Sequence, residues 1–216
     1  MTTIVFSDRD GTINKDENYF LGSKPNWRDQ VSFLEGVIEG IRMINTIPDS
    51  YFFIVTNQAG IALQGPEFDL LTEKRLEEVN DYILEELKKR SAKVDGLYSC
   101  PYIDLDYVKR SVERGRSTNP DYVKDNHPDL KPNIGMIEKA LQSLNLDRND
   151  CDIYMIGDRI TDVKMGLNAG GTGILVESSK TRERGDVEKV QSLQGKTYIA
   201  RNFLDAAEFI LKNTNS

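Results

Sequence analysis

TIVFSDRDGTIN, residues 3–14, is an apolar run that stops at Asp8, steps over one residue to Asp10 and turns at Gly11-Thr12. Strand side chains alternate, so Asp8 and Asp10 leave the sheet on the same side. Two like charges that close repel each other, and the arrangement needs a reason to persist. A divalent cation bound through carboxylate oxygens is one reason; a carboxylate doing chemistry is another.

The rest of the chain repeats the pattern of a strand followed by a helix. Strands are read in TIVFSD, YFFIVTN, DGLYSCPY, CDIYMIGD, TGILVES and TYIARN, with helical periodicity at about 36–46, 68–91, 134–145, 162–169 and 203–213. The 68–91 helix is amphipathic, with Leu71, Val79, Ile83 and Leu87 on one side. Strands that are apolar on both faces and separated by helices predict an α/β fold, a Rossmann-like parallel sheet with helices on both faces. Residues 103–132 form one long irregular segment, beyond ordinary connection lengths and thus a candidate functional loop.

Composition narrows the function classes. The 216 residues are 38% hydrophobic and 29% charged, an ordinary globular balance, with enough chain for one large domain. A net charge of −7 argues against a general nucleic-acid binder. Cys100 and Cys151 form no CxxC pair, so no disulfide framework is expected. No signal-like leader precedes the first strand and no run reaches membrane-spanning length, which gives a cytoplasmic reading with no membrane partner.

Four strand ends or loop entries carry polar residues that a core does not need. They are Asp8 and Asp10 in SDRDGT, Thr56 and Asn57 in IVTNQAGIA, Lys131 in LKPNIG, and Asp158 with Asp162 in YMIGDRITD. Ligands bind parallel open sheets outside the carboxyl ends of the strands, so these segments should converge. Carboxylates suit Mg²⁺, while a hydroxyl and an ammonium suit phosphoryl oxygens. Asp162 could serve the site or merely start a helix.

The ordered set DxDGT, TN, KP and GDxxxD resembles the haloacid dehalogenase (HAD) superfamily of phosphohydrolases. The longer matches DRDGTIN, VTNQAGIA, DGLYSCP, KPNIGM and GDRITDVKMGLNAG are similar to its histidinol-phosphatase and D-glycero-D-manno-heptose 1,7-bisphosphate phosphatase family, over roughly residues 3–175. The resemblance implies a single HAD-like domain over 1–216 without a large cap, carrying a loop insertion at about 103–130. It implies that Asp8 attacks phosphorus to form an aspartyl-phosphate and that Asp10 acts as general acid and then base. Thr56 and Lys131 would hold the equatorial oxygens, and Mg²⁺ would sit on Asp8, the Asp10 backbone carbonyl and Asp158. Substrate contacts would come from Asp16, Glu17, Asn18, Tyr19, Asn57, Gln58 and Arg159. The expected partner is a small phosphorylated metabolite, such as a sugar phosphate, and the expected state is a monomer.

Two departures from that family stand out. Where zinc-binding members carry Cys-x-His and Cys-x-Cys, this chain reads Cys100 with Tyr102, then His127 with Asp129. A structural zinc site closes with four Cys or His ligands, so zinc is not expected. The heptose enzymes also place an arginine before the motif lysine; here Leu130 stands there and cannot pair with a phosphate. The 103–126 stretch, with Lys109, Arg110, Arg114 and Arg116, is the nearest feature able to compensate. The rival readings are a polynucleotide 3′-phosphatase, disfavoured by the acidic charge, and a receiver-like phospho-acceptor, disfavoured by an acid/base at Asp10.

Overall fold

The computed structural model describes residues 1–16 and 20–214. Its strands are β1 (Thr2–Ser7), β2 (Ser50–Asn57), β3 (Leu63–Gln64), β4 (Gly96–Cys100), β5 (Ser117–Thr118), β6 (Cys151–Gly157), β7 (Thr172–Val176) and β8 (Thr197–Ala200). The helices are α1 (Val37–Ile44), α2 (Glu73–Lys89), α3 (Leu105–Glu113), α4 (Gly135–Ser143), α5 (Ile160–Asn168), α6 (Ser179–Glu183), α7 (Asp186–Gln191) and α8 (Phe203–Thr214).

Six strands form one sheet in the order β4-β2-β1-β6-β7-β8, every neighbouring pair parallel. The alternation of apolar residues explains why helices cover both faces. Val5, Phe52, Ile54 and Ile156 pack with Val37, Ile41, Ile83, Leu87, Phe203 and Ile210 from α1, α2 and α8. Their sequence neighbours Ile4, Phe6, Phe53, Val55 and Met155 pack on the other face with Met136, Ile137 and Ala140 of α4 and Met165 of α5. Burial on both faces is the condition under which parallel strands read as continuous apolar runs.

The chain winds outward from β1 to β2 and β4, then returns to β6 on the other side of β1 and winds outward again. The order therefore reverses between β1 and β6. That is the topological switch point, where the crevice outside the strand ends binds ligands. Asp8 follows β1 and Asp158 follows β6, so the fold delivers both carboxylates to that crevice.

The long segment after β4 is not irregular. It contains the nine-residue helix α3, and β5 pairs antiparallel with β3. The Asp104 side chain accepts a hydrogen bond from the Tyr107 amide at 2.6 Å and caps the helix. Only Ser111 of α3 is buried, and Leu105 and Val112 of its Leu105-Val108-Val112 apolar row face outward, so the row does not pack into the core. Helix α2 begins at Glu73 rather than 68, because Thr72 accepts from the Arg75 amide and caps it. Leu71 thus precedes the helix, while Val79, Ile83 and Leu87 form its buried face as expected. Helix α5 starts at Ile160, two residues earlier than its periodicity suggested. Among the described residues, no helix is long and apolar enough to cross a membrane.

Candidate active site

Asp8 follows β1, its amide donating to the carbonyl of Ile156 on β6 at 2.8 Å, and it is almost fully buried. Two glycines make room for the carboxylates beside it, one for Asp158 and one for Asp162. Gly11 has φ of +89°, and a Cβ there would lie 2.8 Å from Asp158 Oδ2. A Cβ at Gly157 would lie 2.2 Å from that of Asp162. Both positions need glycine, the first for its conformation and for space, the second for space.

Lys131 reaches this cluster from the loop before α4. Its ammonium donates to Asp8 Oδ1 at 2.5 Å, to Asp162 Oδ1 at 2.6 Å and to the Val55 carbonyl at 3.3 Å. Burial alone would favour the neutral amine, but the carboxylates of Asp162 and Asp8 more than offset it and hold the ammonium charged. Asp162 shifts upward, chiefly through burial, with Asp8 and Asp158 adding to the shift and Lys131 opposing it. Its second oxygen accepts from the Arg159 amide at 3.1 Å. Asp162 therefore fills both roles open to it from the sequence: it caps the start of α5 and it grips Lys131.

Asp8, Asp158 and Asp162 are all buried, and each offers a carboxylate oxygen within 4.8 Å of the others. Asp158 Oδ1 is buried without a hydrogen-bond partner among the described residues, and burial raises the pKa of this carboxyl, with Asp8 repelling it further. Asp162 is already committed to Lys131 and the α5 amide, which leaves Asp8 and Asp158 to share a ligand. An orphaned carboxylate oxygen facing a second carboxylate fits a hard, oxygen-loving divalent cation.

Asp10 lies at the edge of the site. Arg9, fully buried, clasps its carboxylate through Nε at 3.0 Å and Nη2 at 2.7 Å, and Nη1 reaches Asn80 of α2 at 2.6 Å. Burial pushes the Asp10 carboxyl upward, but Arg9 and then Gln58 overcome it, so the group sits below its ordinary value and is ionised at neutral pH. The Gln58 amide bridges Asp10 Oδ2 and the Thr56 hydroxyl, both at 2.9 Å. Asn57 accepts from the Lys131 amide at 3.3 Å, tying the end of β2 to the lysine loop.

A cavity of about 310 Å³ opens onto these groups, lined by Asp8, Asp10, Asp16, Thr56, Asn57, Gln58, Lys131 and Arg159 among others. Every described residue singled out from the sequence as a catalytic or substrate contact thus lines one cavity. Asp158 lies behind it as a buried carboxylate. Glu17, Asn18 and Tyr19 lie outside the described residues.

Four participants were not read from the sequence. Arg9 could have been suspected, because it sits between two aspartates, yet nothing local shows that it turns inward. Arg184 donates to the Asp158 carbonyl and, at 3.0 Å, to Asp158 Oδ2, while its Nε holds buried Asp186 at 2.9 Å. Lys180 of α6 donates to the Asp16 carbonyl and, at 3.1 Å, to its carboxylate. Asn80 anchors Arg9 from α2. Arg184 and Lys180 reach partners 26 and 164 residues away, beyond any local motif.

The positions aligned with a metal clip in the related family are occupied by other contacts. The Tyr102 ring packs on His127 with centroids 4.3 Å apart, and the Asp129 amide donates to His127 Nδ1 at 3.2 Å. The Asp129 carboxylate takes Lys139. Burial pushes the Cys100 thiol up to about 11, which keeps it protonated.

Comparison with known proteins bears on the family and the fold. A HAD-hydrolase-like family model matches residues 130–206. The D-glycero-beta-D-manno-heptose-1,7-bisphosphate 7-phosphatase of Escherichia coli (strain K12) is 33% identical over 177 residues, 82% of this chain and 80% of that enzyme. The D-glycero-alpha-D-manno-heptose-1,7-bisphosphate 7-phosphatase of Campylobacter jejuni is 32% identical over 83% of this chain and 85% of that enzyme. The solved D,D-heptose 1,7-bisphosphate phosphatase from B. bronchiseptica, complexed with magnesium and phosphate, has a TM-score of 0.71 at 21% identity, covering 98% of this chain and 99% of that one. At that identity the structural likeness speaks for the fold, and the sequence relatives speak for the family. The chain therefore belongs to the HAD phosphatases that include the heptose 1,7-bisphosphate 7-phosphatases, and it is a phosphatase.

Proposed function

We propose that the protein is a Mg²⁺-dependent phosphomonoesterase acting on a sugar phosphate through an aspartyl-phosphate intermediate. The observation that carries this reading is the meeting of Asp8, Asp158, Thr56 and Lys131 at the switch point, with Asp10 two residues beyond the nucleophile. An Asp8 oxygen attacks phosphorus, and the bond to the leaving oxygen breaks as that oxygen takes a proton from Asp10. Asp10 then accepts a proton from the water that attacks the acyl phosphate, which releases inorganic phosphate and restores Asp8. The low pKa of Asp10 in the free protein suits the second step. For the first, Asp10 must take up a proton as a phosphate dianion enters beside it, since a nearby negative charge raises a carboxyl pKa.

Lys131 and Thr56 hold the equatorial oxygens, where transition-state charge is spread. Asp8, Asp158 and the Asp10 carbonyl would hold Mg²⁺, which when bound reduces the repulsion between an anionic nucleophile and an anionic phosphate. The relatives named as heptose 1,7-bisphosphate 7-phosphatases make that sugar bisphosphate the leading substrate.

The test is phosphate release from a panel of sugar phosphates. Activity is expected to vanish with a chelator and to return with Mg²⁺. One tightly held zinc per chain, lost on Cys100→Ser, would overturn the expectation that the clip positions hold no zinc. Asp10→Asn is expected to accept the phosphoryl group from an activated ester and to stall before hydrolysis, visible by mass spectrometry as a phosphorylated protein. Full turnover by this variant would remove Asp10 from the mechanism. Arg184→Met removes the donor that orients Asp158. The Mg²⁺ concentration for half-maximal activity should then rise by at least about tenfold, the usual scale for losing an outer-shell partner of a metal ligand. An unchanged Mg²⁺ requirement would mean that packing alone orients Asp158.

A further inference from the structure

The buried face of α2 is apolar except at one position. Val79, Ile83 and Leu87 pack into the core, while Asn80, beside them, is only 8% exposed. Asparagine is a weak helix former, and a buried amide is costly unless it is hydrogen-bonded. The Asn80 bond goes to the active site: its Oδ1 accepts from Arg9 Nη1 at 2.6 Å, across 71 residues of sequence. Arg9 is itself fully buried, and neither residue lines the cavity.

What this pair controls is the Asp10 carboxylate. Both of its oxygens accept from Arg9, Oδ1 from Nε at 3.0 Å and Oδ2 from Nη2 at 2.7 Å, and Gln58 adds one bond to Oδ2 at 2.9 Å. The backbone beneath is set by a tight turn, in which the Ile13 and Asn14 amides donate to the Arg9 carbonyl at 3.0 and 2.9 Å. That turn places the Asp10 main chain and leaves its side chain free to rotate. The guanidinium stops the rotation, and among the described residues Asn80 is its one side-chain partner besides Asp10. A planar fork on a long, flexible stem is rigid only when it is held on both edges. Asn80 holds the far edge, from a helix anchored in the core.

We infer that Asn80 is a positioning residue for the reaction: acting through Arg9, it fixes the Asp10 carboxylate where the hydrolytic water must be deprotonated. The inference rests on the covalent reading proposed above. Its test is pre-steady-state and steady-state kinetics with p-nitrophenyl phosphate at saturating Mg²⁺. With this ester Asp8 displaces p-nitrophenolate, which leaves as the anion and needs no proton from Asp10. Hydrolysis of the aspartyl-phosphate still needs Asp10 to take a proton from water as inorganic phosphate departs. Asn80→Leu, which removes the acceptor and keeps a good helix former, should therefore slow the second step alone. The value of kcat should fall at least about tenfold and KM with it, so that kcat/KM stays within about threefold. A burst of p-nitrophenol approaching one per chain should appear. Asn80→Asp, which keeps an acceptor for Arg9, should restore kcat to within about threefold of native. Leu87→Ala, a core truncation two turns further along α2, controls for lost stability and should give no larger burst than the native protein. The inference is overturned if Asn80→Leu keeps native kcat, if kcat and kcat/KM fall equally without a burst, if Asn80→Asp is as impaired as Asn80→Leu, or if Leu87→Ala shows the same burst. Failure of the covalent reading would show separately, as undiminished phosphate release by Asp8→Asn.

Discussion

Replacing Asp8 by Asn should lower phosphate release by at least about 10³-fold while leaving the protein folded, because the amide matches the carboxylate in shape but is not a nucleophile. The electrostatics of the site say that the fold will tolerate the change. Asp8 repels Asp158 and Asp162, contributing to the upward shift of both, so its neutralisation relieves two buried carboxylates. Lys131 loses one partner but keeps Asp162 at 2.6 Å. The melting temperature should accordingly hold or rise, and no phosphorylated protein should be trapped even when Asp10 is also replaced. Near-native turnover by Asp8→Asn in Mg²⁺ would show that water attacks phosphorus directly, and the covalent mechanism would be wrong.

Lys131→Met should have the largest effect on stability. The ammonium is buried between Asp8 and Asp162, and its loss leaves two buried carboxylates without their counter-charge. Breaking a buried pair by removing one partner costs roughly 3–5 kcal/mol, a fall in melting temperature of roughly 10 °C for a chain of this length. The sign of the pH dependence follows from Asp162. Its folded pKa already lies above the unfolded value, and without Lys131 it rises further. A carboxyl raised on folding destabilises little below its unfolded pKa, and its cost grows as pH rises through the folded one. The gap in melting temperature between native protein and variant should therefore narrow from pH 7.5 to pH 5.5. A gap that widens on acidification would mean that Lys131 is not the counter-charge of Asp162. Activity should fall by about 10²–10³-fold, the scale of losing one preorganised group that stabilises transition-state charge.

Much of this site was legible because its parts sit at strand ends. Asp8, Asp10, Thr56, Asn57 and Asp158 follow apolar runs whose two-faced burial requires a covered parallel sheet, and such a sheet binds ligands where the strand order reverses. A strand end is a local feature, so a local reading finds it. Lys131 was marked only by its place before Pro132 and just ahead of a helix, and the structure gives it two buried carboxylates.

Helix α3 escaped that reading because it is a short helix of nine residues set within a long charged segment, and two members of its apolar row, Leu105 and Val112, face outward instead of marking a core-facing element. The partners that tune the site escaped for a different reason. Arg9 turns inward because Asn80, 71 residues away, waits for it on α2; Arg184 reaches back 26 residues to Asp158; Lys180 closes on Asp16 from α6. The amino-acid sequence by itself determined the parallel sheet and the strand-end residues of the candidate site, since strand alternation and strand ends are written in neighbouring positions, while the strand order gave the switch point. Only the tertiary structure decided which charges neutralise which, because a buried ion pair is a choice between residues far apart in sequence, made by the packing that brings them within 3 Å.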